Sequence, residues 1–167
     1  MAIIQPFRGY LPPPDIAKKV SSPPYDVLSS DEAREMVQNN SDSFLRIIKP
    51  EVDYSPGNEP EGEALHHHAA ENLDAFIKSG KLHQDENPCF YIYQISMAQH
   101  TQTGIIAAVS VQEYNQGLIK KHEFTRPEKE NDRTQHIEIT NANTGPILLT
   151  FRNDGEFQNH IAGIKNQ

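Results

Sequence analysis

The clearest periodic signal lies in residues 61–79, where Leu65, Ala69, Leu73, Phe76 and Ile77 recur at three- and four-residue spacing. That spacing puts them on one face of a helix, and Gly80 is suited to ending it. A shorter helix is predicted over residues 30–39. It is announced by Ser29 and Glu32, which fit a capping box in which each side chain satisfies the other residue's free amide. Asn39-Asn40 breaks that pattern. Phe44-Leu45-Arg46-Ile47-Ile48-Lys49 reads as a strand stopped by Pro50, and residues 51–60, with Pro56, Gly57, Asn58 and Pro60, read as a loop.

The pattern then changes to short apolar runs. Segments 89–98 and 103–114 flank the polar stretch Gln99-His100-Thr101-Gln102 and predict a β-hairpin. After a turn at Asn115-Gln116-Gly117, residues 118–124 predict a third antiparallel strand. Residues 127–140 predict a helix with Pro127 in its first turn, where its missing amide does no harm. Ile147-Leu148-Leu149-Thr150-Phe151, after Gly145-Pro146, predicts a short buried strand, and 154–167 a partial helix. Residues 1–28 contain Pro6, Pro12, Pro13, Pro14, Pro23 and Pro24. They predict a proline-rich arm of turns and short extended pieces docked on a single domain spanning 29–167. Mostly antiparallel strands with separate helices give an α+β class.

Composition narrows the function classes. The chain has 167 residues, of which 36% are hydrophobic, enough for a modest core. No run approaches the roughly 20 apolar residues of a spanning helix, and the N-terminus does not read as a secretory signal. No membrane association is expected. A formal net charge of −8 argues against binding the nucleic-acid backbone, so no nucleic-acid partner is expected. The single thiol, Cys89, cannot form an internal disulfide, which points to a reducing, cytoplasmic compartment. It opens a strand-like apolar run, so a buried structural thiol is favoured over a nucleophile.

The strongest candidate chemistry is Lys121-His122-Glu123-Phe124-Thr125-Arg126 and the helix behind it. His122 and Glu123 are candidate acid/base groups. They do not form a metalloprotease motif, because Arg126 stands where the second histidine is required. Thr125 sits at the entry to the helix, where free amides suit phosphate. Lys129 and Arg133 share a face four residues apart. They either serve an anionic ligand or are neutralised by Glu128, Glu130 and Asp132 on a solvated face. The turn Ser22-Pro23-Pro24-Tyr25-Asp26 also has two readings. Tyr25 is buried and Asp26 caps a backbone turn, or Asp26 borders a ligand pocket with Arg8. His66-His67-His68 does not suit a metal site, because successive helical residues are about 100° apart. His68 lies nearest the apolar stripe. A metal-dependent hydrolase ranks low, and no metal ligands are assigned.

Four segments carry a family resemblance. The first is Pro6-Phe7-Arg8-Gly9 with Ser22-Pro23-Pro24-Tyr25-Asp26-Val27, and the second is Gly80-Lys81-Leu82 with Tyr91-Ile92-Tyr93. The third is Gly104-Ile105-Ile106-Ala107-Ala108-Val109. The fourth is His122-Glu123-Phe124-Thr125 with Lys129, Asp132 and Arg133. Their order and spacing resemble the N-terminal portion of SerK-like proteins, a family catalogued as a domain of unknown function, and Asn143 to Pro146 resembles the stretch that follows. The resemblance implies a fold related to the ParB and sulfiredoxin nucleotide-binding domain. It also implies phosphoryl transfer from ATP or ADP with Mg2+ to a small hydroxyl substrate such as free L-serine. In that reading His122 and Glu123 carry the chemistry, and Thr125, Lys129, Arg133, Arg8 and Asp26 bind the cofactor. The family's Asp-Gly-His-His-Arg motif does not occur in these residues, so this chain alone is expected to be inactive. The alternative is a non-catalytic binding or assembly module that dimerises or associates with a missing C-terminal part.

Overall fold

A computed structural model describes residues 2–121, 124–152 and 155–165. Helix α2 (Ser30–Val37) begins at the predicted capping box. The Ser29 backbone amide donates to Glu32 Oε2 at 2.8 Å, and the Glu32 amide donates to Ser29 Oγ at 3.3 Å. Those bonds hold the Glu32 carboxyl below its ordinary range. Helix α4 (Glu63–Lys78) follows the predicted stripe and buries Ala69, Leu73 and Phe76. Gly80 follows it with φ +75°, a conformation that favours glycine.

The core is built from two clusters. Val20, Ile47, Leu73, Phe76 and Leu82 form one. Ala33, Val37, Leu45, Ile48 and Val52 form the other, and Phe44 packs against both. This arrangement explains why residues 44–49 are not the expected strand. Leu45–Ile48 form a one-turn helix, α3, wedged between the clusters. Ile47 faces one cluster while Leu45 and Ile48 face the other. An apolar run buried on both sides carries no periodicity to separate strand from helix. A 3-10 turn, Pro50–Asp53, follows and buries Pro50 and Val52.

Among the described residues the strands form three antiparallel pairs. The α+β class stands, with helix predominating over sheet. The hairpin pairs β4 (Tyr91–Met97) with β5 (His100–Ile106). Its turn is tighter than expected, with only Ala98 and Gln99 between Met97 and His100, and Ala98 adopts φ +53°. The strand predicted over 103–114 ends early. After β6 (Ala108–Val109), Ser110 caps a short helix, α5 (Val111–Asn115), by accepting from the Glu113 amide. No strand forms at 118–121 or 147–151, and Ile147 and Leu148 are exposed.

The proline-rich arm reaches the rest of the chain at several points. Strand β1 (Ile4–Gln5) pairs with β6, and β2 (Tyr10–Leu11) pairs with β3 (His83–Gln84). Phe7 bridges Cys89, and the Gly9 amide donates to the Tyr91 hydroxyl at 2.7 Å. A Cβ on Gly9 would stand 2.9 Å from the Tyr91 ring, so this approach requires glycine. Helix α1 (Ala17–Val20) sends Val20 into the core. Helices α6 (Pro127–Thr140) and α7 (Gly155–Lys165) match the predicted C-terminal helices. Among the described residues no helix is long and apolar enough to cross a membrane.

Candidate functional site

Helix α6 starts as the sequence predicts, with Arg126 as its cap and Pro127 in the first turn. Thr125 Oγ1 donates to Glu130 Oε2 at 2.7 Å, which ties the hydroxyl to the helix's own first turn. Lys129 is exposed and has no ion pair among the described residues. Arg133 has two partners. It pairs with Asp132 Oδ2, with Nη2 at 2.7 Å, and its guanidinium lies 4.4 Å from the Tyr25 ring centroid. The neutralising reading therefore holds for Arg133 and leaves Lys129 free. The stacking also joins the turn that holds Tyr25 to the helix that holds Arg133. His122 and Glu123, the candidate acid/base pair, lie outside the described residues.

Two candidates are placed elsewhere. Arg8 Nε donates to the Asp85 carbonyl at 2.8 Å, at the β2–β3 end of the arm. Asp26 is exposed in the 3-10 turn Tyr25–Val27 and makes no side-chain hydrogen bond among the described residues. No contact joins Arg8 to Asp26 among those residues. Tyr25 is half-buried rather than buried, packed against the second core cluster and covered by Arg133. Cys89 is exposed, contrary to expectation, because it stands at the hairpin's edge, bridged to Phe7, rather than inside a sheet.

A shallow cavity of about 340 Å³ lies at the turn that follows α5. It is lined by Tyr114, Asn115, Gly117, Ile119, Lys120 and Lys121, with Lys121 Nζ 4.9 Å from the Tyr114 ring centroid. A hydrogen bond with the Tyr114 hydroxyl and the nearby Glu130 carboxylate raise the Lys121 pKa, so it stays cationic. Hydrophobic periodicity gives no indication of this cavity, because turn residues and lysines form most of it.

The sequence reasoning also missed the α4–α6 contact. Helix α6 turns Asp132, His136 and Thr140, a polar row at four-residue spacing, toward α4. His136 is 1% exposed, and its ring stands edge-on to buried His66 with centroids 5.6 Å apart. His66 Nε2 is 3.5 Å from Asp132 Oδ1, and His136 Nε2 is 3.1 Å from Thr144 Oγ1. Both Nδ1 atoms are buried without a hydrogen-bond partner. Burial, then the nearby positive charge of Arg133 and His66, pushes His136 down to about 4, against the opposing pull of Asp132. His136 is therefore neutral at pH 7.

The three consecutive histidines do splay, but the deepest is His66 rather than His68. His68 turns to Asp53, with Nε2 at 2.8 Å. Asp53 also accepts from Arg46 Nη1 and, at 2.9 Å, from Asn72 Nδ2, which ties α3, α4 and the intervening turn together. Among the described residues no group of three or more His, Cys, Asp or Glu side chains is arranged to hold a metal ion. The exposed lysines suit an anionic group.

Comparison with known families gives one match, to the family described as "Protein of unknown function (DUF1015)", over residues 4–167. The chain belongs to the DUF1015 family. No curated protein and no solved structure matches it. The DUF1015 match covers all four of the resembling segments, the lysine-lined cavity and the buried histidine pair.

Proposed function

We propose that this chain forms one wall of a small-molecule site in a SerK-like phosphotransferase. The reaction of the complete site would be phosphoryl transfer from ATP or ADP, with Mg2+, to a small hydroxyl substrate such as free L-serine. The observation that carries this reading is the cavity bearing Lys120 and Lys121, with Lys121 near enough to Glu130 of α6 to feel its charge and unpaired Lys129 in the first turn of that helix. Phosphoryl transfer depends mainly on positioning and on stabilising charge, and these cations suit that role. Arg133, fixed between Asp132 and Tyr25, braces the adjoining turn 22–26 against α6. His122 and Glu123 stand between the cavity and Thr125 in sequence and are the proposed acid/base groups. Isothermal calorimetry with ATP, ADP and L-serine tests the reading on the folded chain. Nucleotide binding that weakens about tenfold in Lys121→Ala or Lys129→Ala is expected. A folded chain that binds none of the three ligands would overturn it.

A second reading, a non-catalytic binding or assembly module, is favoured by a different observation. The hairpin strand β4 leaves Tyr93, Ile95 and Met97 52%, 51% and 77% exposed. Apolar side chains this exposed and this close together mark an interaction surface. Light scattering and pull-down experiments test this second reading. A strictly monomeric chain that retains no partner would count against it.

A further inference from the structure

Strand β4 of the β4–β5 hairpin carries an exposed apolar row. Because side chains alternate along a strand, Tyr91, Tyr93, Ile95 and Met97 share one face. Ile92, Gln94 and Ser96 occupy the other, with their partners Ile105, Thr103 and Thr101. Gln94 Nε2 donates to Thr103 Oγ1 at 3.2 Å, and Ser96 bonds Thr101 at 2.9 Å, so the polar side chains of that face bond one another. On the opposite face the arm holds Tyr91, while Tyr93, Ile95 and Met97 stand exposed beside Gly104, Gln102 and His100 of β5. Among the described residues the hairpin is a two-stranded sheet, with neither long edge paired along 91–97 or 100–106. Two strands alone are marginal in water, and a third strand or a covering element is needed for independent stability.

The same chain holds a segment with the complementary defect. Residues 147–151 (Ile-Leu-Leu-Thr-Phe) are strand-forming by composition, yet they make no backbone hydrogen bond among the described residues. Ile147 and Leu148 are both 73% exposed. Phe151 packs edge-on against Phe157 of α7 at 4.9 Å, which anchors one end of the segment. Charge points to what this segment meets. Residues 87–112 contain no Asp, Glu, Lys or Arg, and neither do 139–151. On a chain of net charge −8, these two stretches can approach another copy without like-charge repulsion. Interface centres are also depleted of charge and enriched in aromatic residues and methionine.

We propose that the apolar hairpin face is a self-association surface, covered by segment 147–151 of a second copy of this chain. Each copy gives one segment and receives one, so a two-fold arrangement closes on itself and both defects are relieved twice. This inference rests on the assembly reading above and names its partner.

The test combines light scattering with directed cross-linking in a Cys89→Ser background. Dimer formation at tens of micromolar is expected, with association weakened at least tenfold by Ile95→Glu while thermal unfolding of the monomer is unchanged. Chains carrying Met97→Cys, mixed with chains carrying Leu148→Cys, are expected to form a mixed disulfide. A chain that stays monomeric at all concentrations would overturn both this inference and the assembly reading. A dimer untouched by Ile95→Glu, or one lacking the mixed disulfide, would overturn this inference alone. So would a disulfide formed within single, dilute chains carrying both cysteines, because the segment would then cover its own hairpin.

Discussion

Two regions of the molecule handle apolar residues in opposite ways. Among the described residues, every buried hydrophobic residue except Ile161 lies between Val20 and Leu82. The large exposed hydrophobics lie mostly outside that stretch, in the start of the arm, in the hairpin, in the turn around Leu118 and in segment 147–151. The helical region closes its own core, because α2, α3 and α4 present apolar faces to one another and the arm supplies Val20. The hairpin has the alternation of a buried sheet and no covering layer. Fold stability and molecular recognition are therefore expected to reside in different stretches of the chain, and substitutions can separate them.

The largest effect should come from truncating the core. Leu45→Ala or Ile47→Ala removes a fully buried side chain and should cost about 2–5 kcal/mol in urea unfolding. A smaller loss would mean that the wedge formed by α3 does not hold the clusters together. Acidification should have the next largest effect, through the buried histidine pair. His136 takes a proton near pH 6.5 when unfolded and only near pH 4 when folded. Its contribution is therefore fully present above about pH 6.5 and is lost as pH falls toward 4. The loss should be on the order of 3 kcal/mol, levelling off below that pH. His136→Gln should flatten this part of the stability profile while carboxylate titrations remain. An unchanged slope would show that the α4–α6 contact tolerates the charge. The smallest effect is expected in the hairpin, where Ile95→Ala should change the stability of the dilute monomer by less than about 0.5 kcal/mol. A larger cost there would erase the contrast between the two regions.

The parts of the fold that follow local rules were legible in the sequence. The α2 capping box, the α4 stripe, the hairpin and α6 with Pro127 in its first turn can all be read from spacing and turn chemistry. Segments whose conformation depends on neighbours distant in sequence could not be read that way. Residues 44–49 became a helix because both of their sides are buried. Residues 147–151 were expected to be a buried strand, and they are exposed because no strand lies beside them. The helix α5 was legible and was overlooked, since Ser110 and Glu113 have the same spacing as Ser29 and Glu32. Of the candidate site, the sequence indicated the α6 cations and the turn at Tyr25. Their stacking could not be foreseen, nor could the His66–His136 contact, because α6 meets α4 through a polar row.

The pairing of β1 with β6 has a consequence for how the chain assembles. Ile4 finds its partner at Val109, and Tyr10 finds its partner at Gln84. At roughly 5–20 residues per second of synthesis, Ile4 waits about 5–20 s before Val109 exists. The contacts among α2, α3 and α4 span fewer residues, so they can close during that interval. Distant pairings are also the slower ones to form. Strands β1 and β2 of the arm should therefore pair after the α2–α4 packing has formed. Pulse-labelled hydrogen exchange during refolding should show the α4 amides protected before the Phe7 and Gly9 amides. Protection of the arm first would mean that it is part of the folding nucleus.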